Sequence, residues 1–99
     1  MEVKGDIAIR SMEFALQAID LYRELRQDQV GGVLGKQFLR SGTAIGANVQ
    51  EAQGAQSKAD FIAKMSIAHK EALETAYWLK LFAKAKIIPG GRLVGAFAR

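Results

Sequence analysis

Ninety-nine residues, with 14 Lys and Arg against 10 Asp and Glu, one His, one Pro and no Cys, set the limits of this chain. The length suits a single domain over residues 1–99. The missing Cys excludes disulfides, thiolate nucleophiles and cysteine metal sites, and a lone His excludes a His-rich metal centre. Ala fills 16 positions and Gly 10. Such small side chains add little core volume, so helices approach closely, or copies share a core, or both. The start, Met1-Glu2-Val3-Lys4-Gly5-Asp6, is charged and leads into no secretory h-region. No apolar run approaches the roughly 18 residues of a membrane span. A cytoplasmic protein without a membrane partner is therefore expected.

Punctuation falls at residues 27–32, 53–57 and 89–91, which leaves three long helices and a short tail. The first is predicted over 6–25. At 100° per residue, Asp6, Arg10, Glu13, Gln17, Asp20 and Glu24 share one polar arc. Two apolar faces adjoin it: Ile9, Met12, Leu16, Ile19 and Tyr22 on one, and Ile7, Phe14, Ala18, Leu21 and Leu25 on the other. One stripe of a little over 100° satisfies a helix on the outside of a monomer, so the second face calls for a neighbour.

The second helix is predicted over 33–52, with Gly31-Gly32 as the turn before it. Leu34, Phe38, Ser41, Ile45, Val49 and Ala52 form its inward stripe. Gly42 and Gly46 each cost a helix about 1 kcal/mol relative to Ala, a cost that close approach of another backbone would explain. Asn48, beside the apolar stripe, needs a hydrogen-bond partner if buried and would suit the cap of a neighbouring element.

The third helix is predicted over 58–86. Ser57-Lys58-Ala59-Asp60 is a capping-box variant at its start. Phe61, Met65, Ala68, Ala72, Thr75, Leu79 and Phe82 then make an unbroken heptad seam. Ile62, Leu73, Tyr77 and Leu81 mark a second flank, and Ile67 and Trp78 a third. Residues 92–99 would form a stub too short to be stable unless docked. The fold class is all-α: an antiparallel, up-down helical bundle of three long helices plus a short, truncated fourth, assembling as a homo-oligomer. Candidate oligomer-interface residues are Phe14, Leu21, Leu25, Ile67, Tyr77 and Trp78.

Charge is unevenly placed. Residues 1–55 hold 6 basic and 7 acidic side chains, and residues 56–99 hold 8 basic and 3 acidic. That asymmetry favours a polyanion near the second half, although for a single copy a solvated lysine face that keeps the protein soluble is the plainer account. Lys80, Lys84 and Lys86 also suit the negative end of the third helix, and Lys36 and Arg40 lie one turn apart. With Lys64 and Lys70 these are the candidate nucleic-acid contacts: Lys36, Arg40, Lys64, Lys70, Lys80, Lys84 and Lys86. No sequence-reading module accompanies them, so binding would be mainly to backbone.

Catalytic patterns fail on spacing. Gly31-Gly32-Val33-Leu34-Gly35-Lys36-Gln37 resembles a phosphate loop but lacks four residues between its glycines and a Ser or Thr after Lys36. Ser66 and His69 share a helix face, but no carboxylate at i±3 or i±4 orients the imidazole. Glu71 and Glu74 read as surface charges. Neither an enzyme nor a metal or cofactor is expected.

Three blocks carry a family resemblance: residues 39–52 (Leu39-Arg40-Ser41-Gly42-Thr43-Ala44-Ile45-Gly46-Ala47-Asn48-Val49-Gln50-Glu51-Ala52), Ser57-Lys58-Ala59-Asp60-Phe61, and residues 67–79, from Ile67-Ala68-His69-Lys70-Glu71 to Ala76-Tyr77-Trp78-Leu79. Over about residues 6–88 the chain resembles the bacterial four-helix bundle proteins whose founding members are encoded in intervening sequences of 23S ribosomal RNA genes. The resemblance implies an antiparallel bundle assembled as a homopentamer. It also implies kinship with the accessory protein of diversity-generating retroelements, which binds nucleic acid and a reverse transcriptase. The family's full fourth helix is shortened here to the residues after Gly91. The expected function is non-enzymatic binding of RNA or DNA backbone through a basic surface, as accessory to a reverse transcriptase or rRNA-associated element. The alternative is a protein–protein adaptor that touches no nucleic acid.

Overall fold

The computed structural model describes residues 5–88, which form three α-helices: α1 (Gly5–Leu25), α2 (Gln29–Gln53) and α3 (Lys58–Lys84). The expected stub at 92–99 lies outside the described residues. Adjacent helices run antiparallel. Along α2, Gly35, Gly42 and Gly46 meet successively earlier parts of α1, at Leu25, Ala18 and Ser11. On the other side, Phe38 meets Phe82, Ser41 meets Thr75, and Glu51 meets Lys64 of α3. The second helix is thus the centre of the bundle, packed against both others.

The second helix starts four residues earlier than its apolar pattern predicts, so Gly31-Gly32 is its first turn and not a loop. Asp28 is the reason. Its backbone is extended, and its carboxylate accepts a 2.8 Å hydrogen bond from the Gly31 amide, which satisfies an amide with no partner inside the helix. Gly31 is needed there because a Cβ would collide with the Leu25 carbonyl oxygen. The whole stretch 31–37 is helical, so it cannot fold as a phosphate-cradling loop. Ser57 caps α3 as its sequence predicts, accepting from the Asp60 amide at 3.0 Å.

The third helix ends two residues short of its predicted limit. Lys86 adopts a left-handed conformation (φ 59°). Its amide donates to Ala83 and the Ile87 amide to Phe82, the paired bonds of a Schellman ending. The reversal brings Ile88 into the core and Ile87 against it.

The core has two parts. One joins Ala18, Leu21, Leu25, Phe38, Phe82 and Ile88, with the Phe38 and Phe82 rings edge to face at 5.9 Å. The other joins Val49, Ala52 and Ala68, with Phe61 and Met65 beside them. Fully burying each Phe contributes about 1.5–3 kcal/mol. Between the clusters lie buried Ser41 and Thr75. Here the small residues act as expected: an added Cβ would stand 3.2 Å from Ala18 at Gly42 and 3.3 Å from the Ser11 carbonyl oxygen at Gly46. Asn48 caps no neighbour; its side-chain amide donates to the Ala44 carbonyl of its own helix at 2.8 Å.

A candidate nucleic-acid interface on the third helix

A polar bridge joins α2 and α3 at the surface of the bundle. The Arg40 guanidinium donates to Glu74 at 2.7 Å and to Glu71 at 3.2 Å. The second Glu71 oxygen, Oε1, rests 3.2 Å from Nη2 in ion-pair contact without an aligned hydrogen bond. Glu74 also accepts from the Trp78 indole N–H at 3.0 Å. That hydrogen bond, followed by the one from Arg40, holds the Glu74 carboxyl below its ordinary range. The bonds to Glu71 and then Glu74 hold Arg40 above its own. Glu71 and Glu74 are therefore the anchor of an interhelical clamp and not free surface charges.

The clamp draws both carboxylates of this stretch toward Arg40 of α2. Between Phe61 and Lys84, Glu71 and Glu74 are the only carboxylates, and both are bound by Arg40. At 100° per residue, Ile62, Ser66, Lys70, Leu73, Tyr77, Lys80 and Lys84 occupy an arc of about 80°, and all seven are exposed. That arc lies opposite the buried Ala68, Thr75 and Phe82. Lys70, Lys80 and Lys84 have no carboxylate partner among the described residues. The outward face of α3 thus carries three cations, three large apolar side chains and no anion.

The other candidate contacts divide. Lys36 is exposed on α2 and Lys86 just beyond α3. Arg40 and Lys64 are engaged within the chain: Arg40, half-exposed, bridges to Glu71 and Glu74, and Lys64 pairs with Glu51 at 3.1 Å. Each is already neutralised inside the chain. Of the Lys36 and Arg40 pair, only Arg40 has a carboxylate partner among the described residues.

The interface candidates divide as well. Leu21 and Leu25, each 1 % exposed, are sealed in the chain's own core and present no surface to another copy. Phe14 is half-buried near Gly42, and Trp78 is half-buried against the core, its ring stacked on Phe82. Ile67 and Tyr77 remain exposed. Of the two apolar faces of α1, the one bearing Leu21 points inward. The outward one exposes Ile9 (60 %), Met12 (60 %) and Leu16 (56 %). Beside it, Met12, Ala15, Thr43, Ala47 and Gln50 line an apolar groove of about 300 Å³ between α1 and α2.

His69 is exposed and shares a shallow depression with Phe61, Ile62, Met65, Ser66 and Lys70. Among the described residues, no three His, Asp or Glu side chains gather to hold a metal ion, and no helix is long and apolar enough to cross a membrane.

The model of the 23S rRNA-intervening sequence protein family matches residues 4–93. The chain is also similar to a crystal structure of a protein of unknown function, from the S23 ribosomal protein family of Bacteroides thetaiotaomicron. The two are 51 % identical, with a TM-score of 0.79 over 83 % of this chain and 76 % of that one. No curated protein matches. The helix order, the antiparallel packing and a match spanning nearly the whole chain agree: this protein belongs to the 23S rRNA-intervening sequence protein family.

Proposed function

We propose that this protein is a non-catalytic, oligomeric helical bundle that binds the RNA or DNA backbone through the outward face of α3. The observation behind this reading is the Arg40 clamp. It engages both Glu71 and Glu74, and Lys70, Lys80 and Lys84 are left as an exposed strip with no carboxylate in ion-pair contact among the described residues. Lys and Arg side chains displace condensed counterions from phosphates, and the affinity so gained falls steeply with salt. Several copies would repeat the strip; the family resemblance points to five, and to a reverse transcriptase or an rRNA-associated element as the setting. Fluorescence anisotropy with a labelled RNA tests the reading. The Lys80→Gln/Lys84→Gln variant should bind several-fold more weakly than the parent, and Lys36→Gln, on a different helix, should match the parent. Absence of binding at about 50 mM salt contradicts the proposal.

A second reading, as a protein–protein adaptor, draws on the exposed ridge of Ile9, Met12 and Leu16. That ridge is apolar enough to seat a further copy or another protein. Light scattering on Met12→Glu/Leu16→Glu separates these occupants. A fall in mass assigns the ridge to self-association, and an unchanged mass leaves it for a different partner.

A further inference from the structure

Resting on the nucleic-acid reading, we propose that the outward face of α3 is a single-strand site in which Tyr77 stacks on an unpaired base between phosphates held by Lys70, Lys80 and Lys84. Tyr77 is the midpoint of the strip. Lys70 and Lys84 each lie seven residues away, so two helical turns bring all three to one line, and Lys80 lies one turn beyond the ring. At 1.5 Å per residue the track from Lys70 to Lys84 is about 21 Å long. That matches roughly six stacked nucleotides at about 3.4 Å each.

The ring is both exposed and supported. Tyr77 is 57 % exposed, yet it meets Trp78 edge to face at 5.1 Å between centroids. Trp78 is fixed by its hydrogen bond to Glu74 and by stacking on Phe82, which is fully buried. A chain of rings thus runs from the core at Phe38 and Phe82 to the surface at Tyr77. A ring held in this way loses little conformational freedom when a base stacks on it. Aromatic rings beside tracks of positive charge are how sequence-tolerant single-strand proteins combine stacking with phosphate contacts. A duplex hides the faces of its bases and could use only the lysines. The same strip suits a lipid surface less well, because Lys70, Lys80 and Lys84 interrupt Ile62, Leu73 and Tyr77 along it and leave no continuous apolar face.

Trp78 is the chain's only Trp and reports on its neighbour. The test titrates the full chain with an unstructured oligouridine of about 16 nucleotides and, separately, with an RNA duplex of equal length. The parent and Tyr77→Phe should bind the single strand about tenfold more tightly than Tyr77→Leu, with duplex affinity equal in all three. Trp78 emission should change on adding the single strand, and not on adding the duplex. Circular dichroism confirms that each variant is folded. If Tyr77→Leu leaves single-strand binding unchanged, or weakens duplex and single strand alike, the stacking site is overturned while backbone binding stands. Displacement of the oligouridine by polyglutamate at equal charge, to the same extent in the parent and Tyr77→Leu, overturns it too, as recognition of charge alone. Failure of the parent to bind either nucleic acid at about 50 mM salt overturns both this inference and the reading beneath it.

Discussion

Thr75 of α3 and Ser41 of α2 place their hydroxyl oxygens 2.8 Å apart in the sealed centre of the bundle. Ser41 in turn donates to the Phe38 carbonyl at 3.3 Å, and the Glu71 carbonyl lies 2.8 Å from Thr75 as an alternative acceptor. Two protons serve three acceptors, so neither hydroxyl is left unsatisfied. Replacing Thr75 by Val keeps the shape and strands part of this network. Urea unfolding should show a loss of about 1–2 kcal/mol. Adding Ser41→Ala should cost less than it does alone, because the partners are coupled.

Gly31 and Gly32 are neighbours in the first turn of α2 and should respond to Ala in opposite senses. At Gly31 the new methyl meets the Leu25 carbonyl oxygen and Ile87, and the expected loss is about 1–3 kcal/mol. At Gly32 the nearest atoms lie at an ordinary 3.6 Å, so the gain in helix propensity prevails, by about 0.5–1 kcal/mol. Thermal melts of the two variants against the parent check the sign of each.

Lys86 holds the left-handed position that ends α3, where glycine carries no Cβ penalty. Lys86→Gly should stabilise the fold by about 1 kcal/mol, read as a higher urea midpoint with an unchanged slope.

Glu74 links protonation to Trp78. Its folded carboxyl titrates below the ordinary value of 4.5. A depressed folded value means that the stabilisation is complete above the unfolded value and is lost as pH falls through the folded one. Trp78 emission should therefore hold steady from neutral pH to about 4.5 and change only at lower pH, as the carboxylate facing the indole is neutralised. Glu74→Gln should abolish that step while leaving an acceptor for the indole N–H.

Periodicity made much of this fold legible. The heptad seam from Phe61 to Phe82 and the stripe from Leu34 to Ala52 both face inward, because a repeat near 3.5 residues keeps its side chains on one side of a helix. The two apolar faces of α1 were equally plain, but an angular count cannot say which of them meets α2. Leu21 and Leu25 are core, and Ile9, Met12 and Leu16 face outward. The start of α2 is hidden from the sequence because Gly31-Gly32 has poor helix propensity, whereas close packing on Leu25 demands Gly31; Asp28, which caps the helix, is the signal for it. The Arg40 clamp was out of reach, since its partners lie 31 and 34 residues away and spacing rules pair only neighbours on one helix. The one hint was Glu71 and Glu74 sharing a face at i,i+3, a repulsion that a cation from elsewhere would relieve.

The salt dependence of RNA binding tests the central claim most directly. Dissociation constants should be measured across a salt series for the parent and for Lys70→Gln/Lys80→Gln/Lys84→Gln, both as folded protein. For each chain contacting the strand, removing three phosphate contacts should reduce the slope of log affinity against log salt by about two units, with the largest loss of affinity at low salt. Identical slopes and affinities for the two proteins would contradict the account, because the exposed lysine strip would then touch no phosphate.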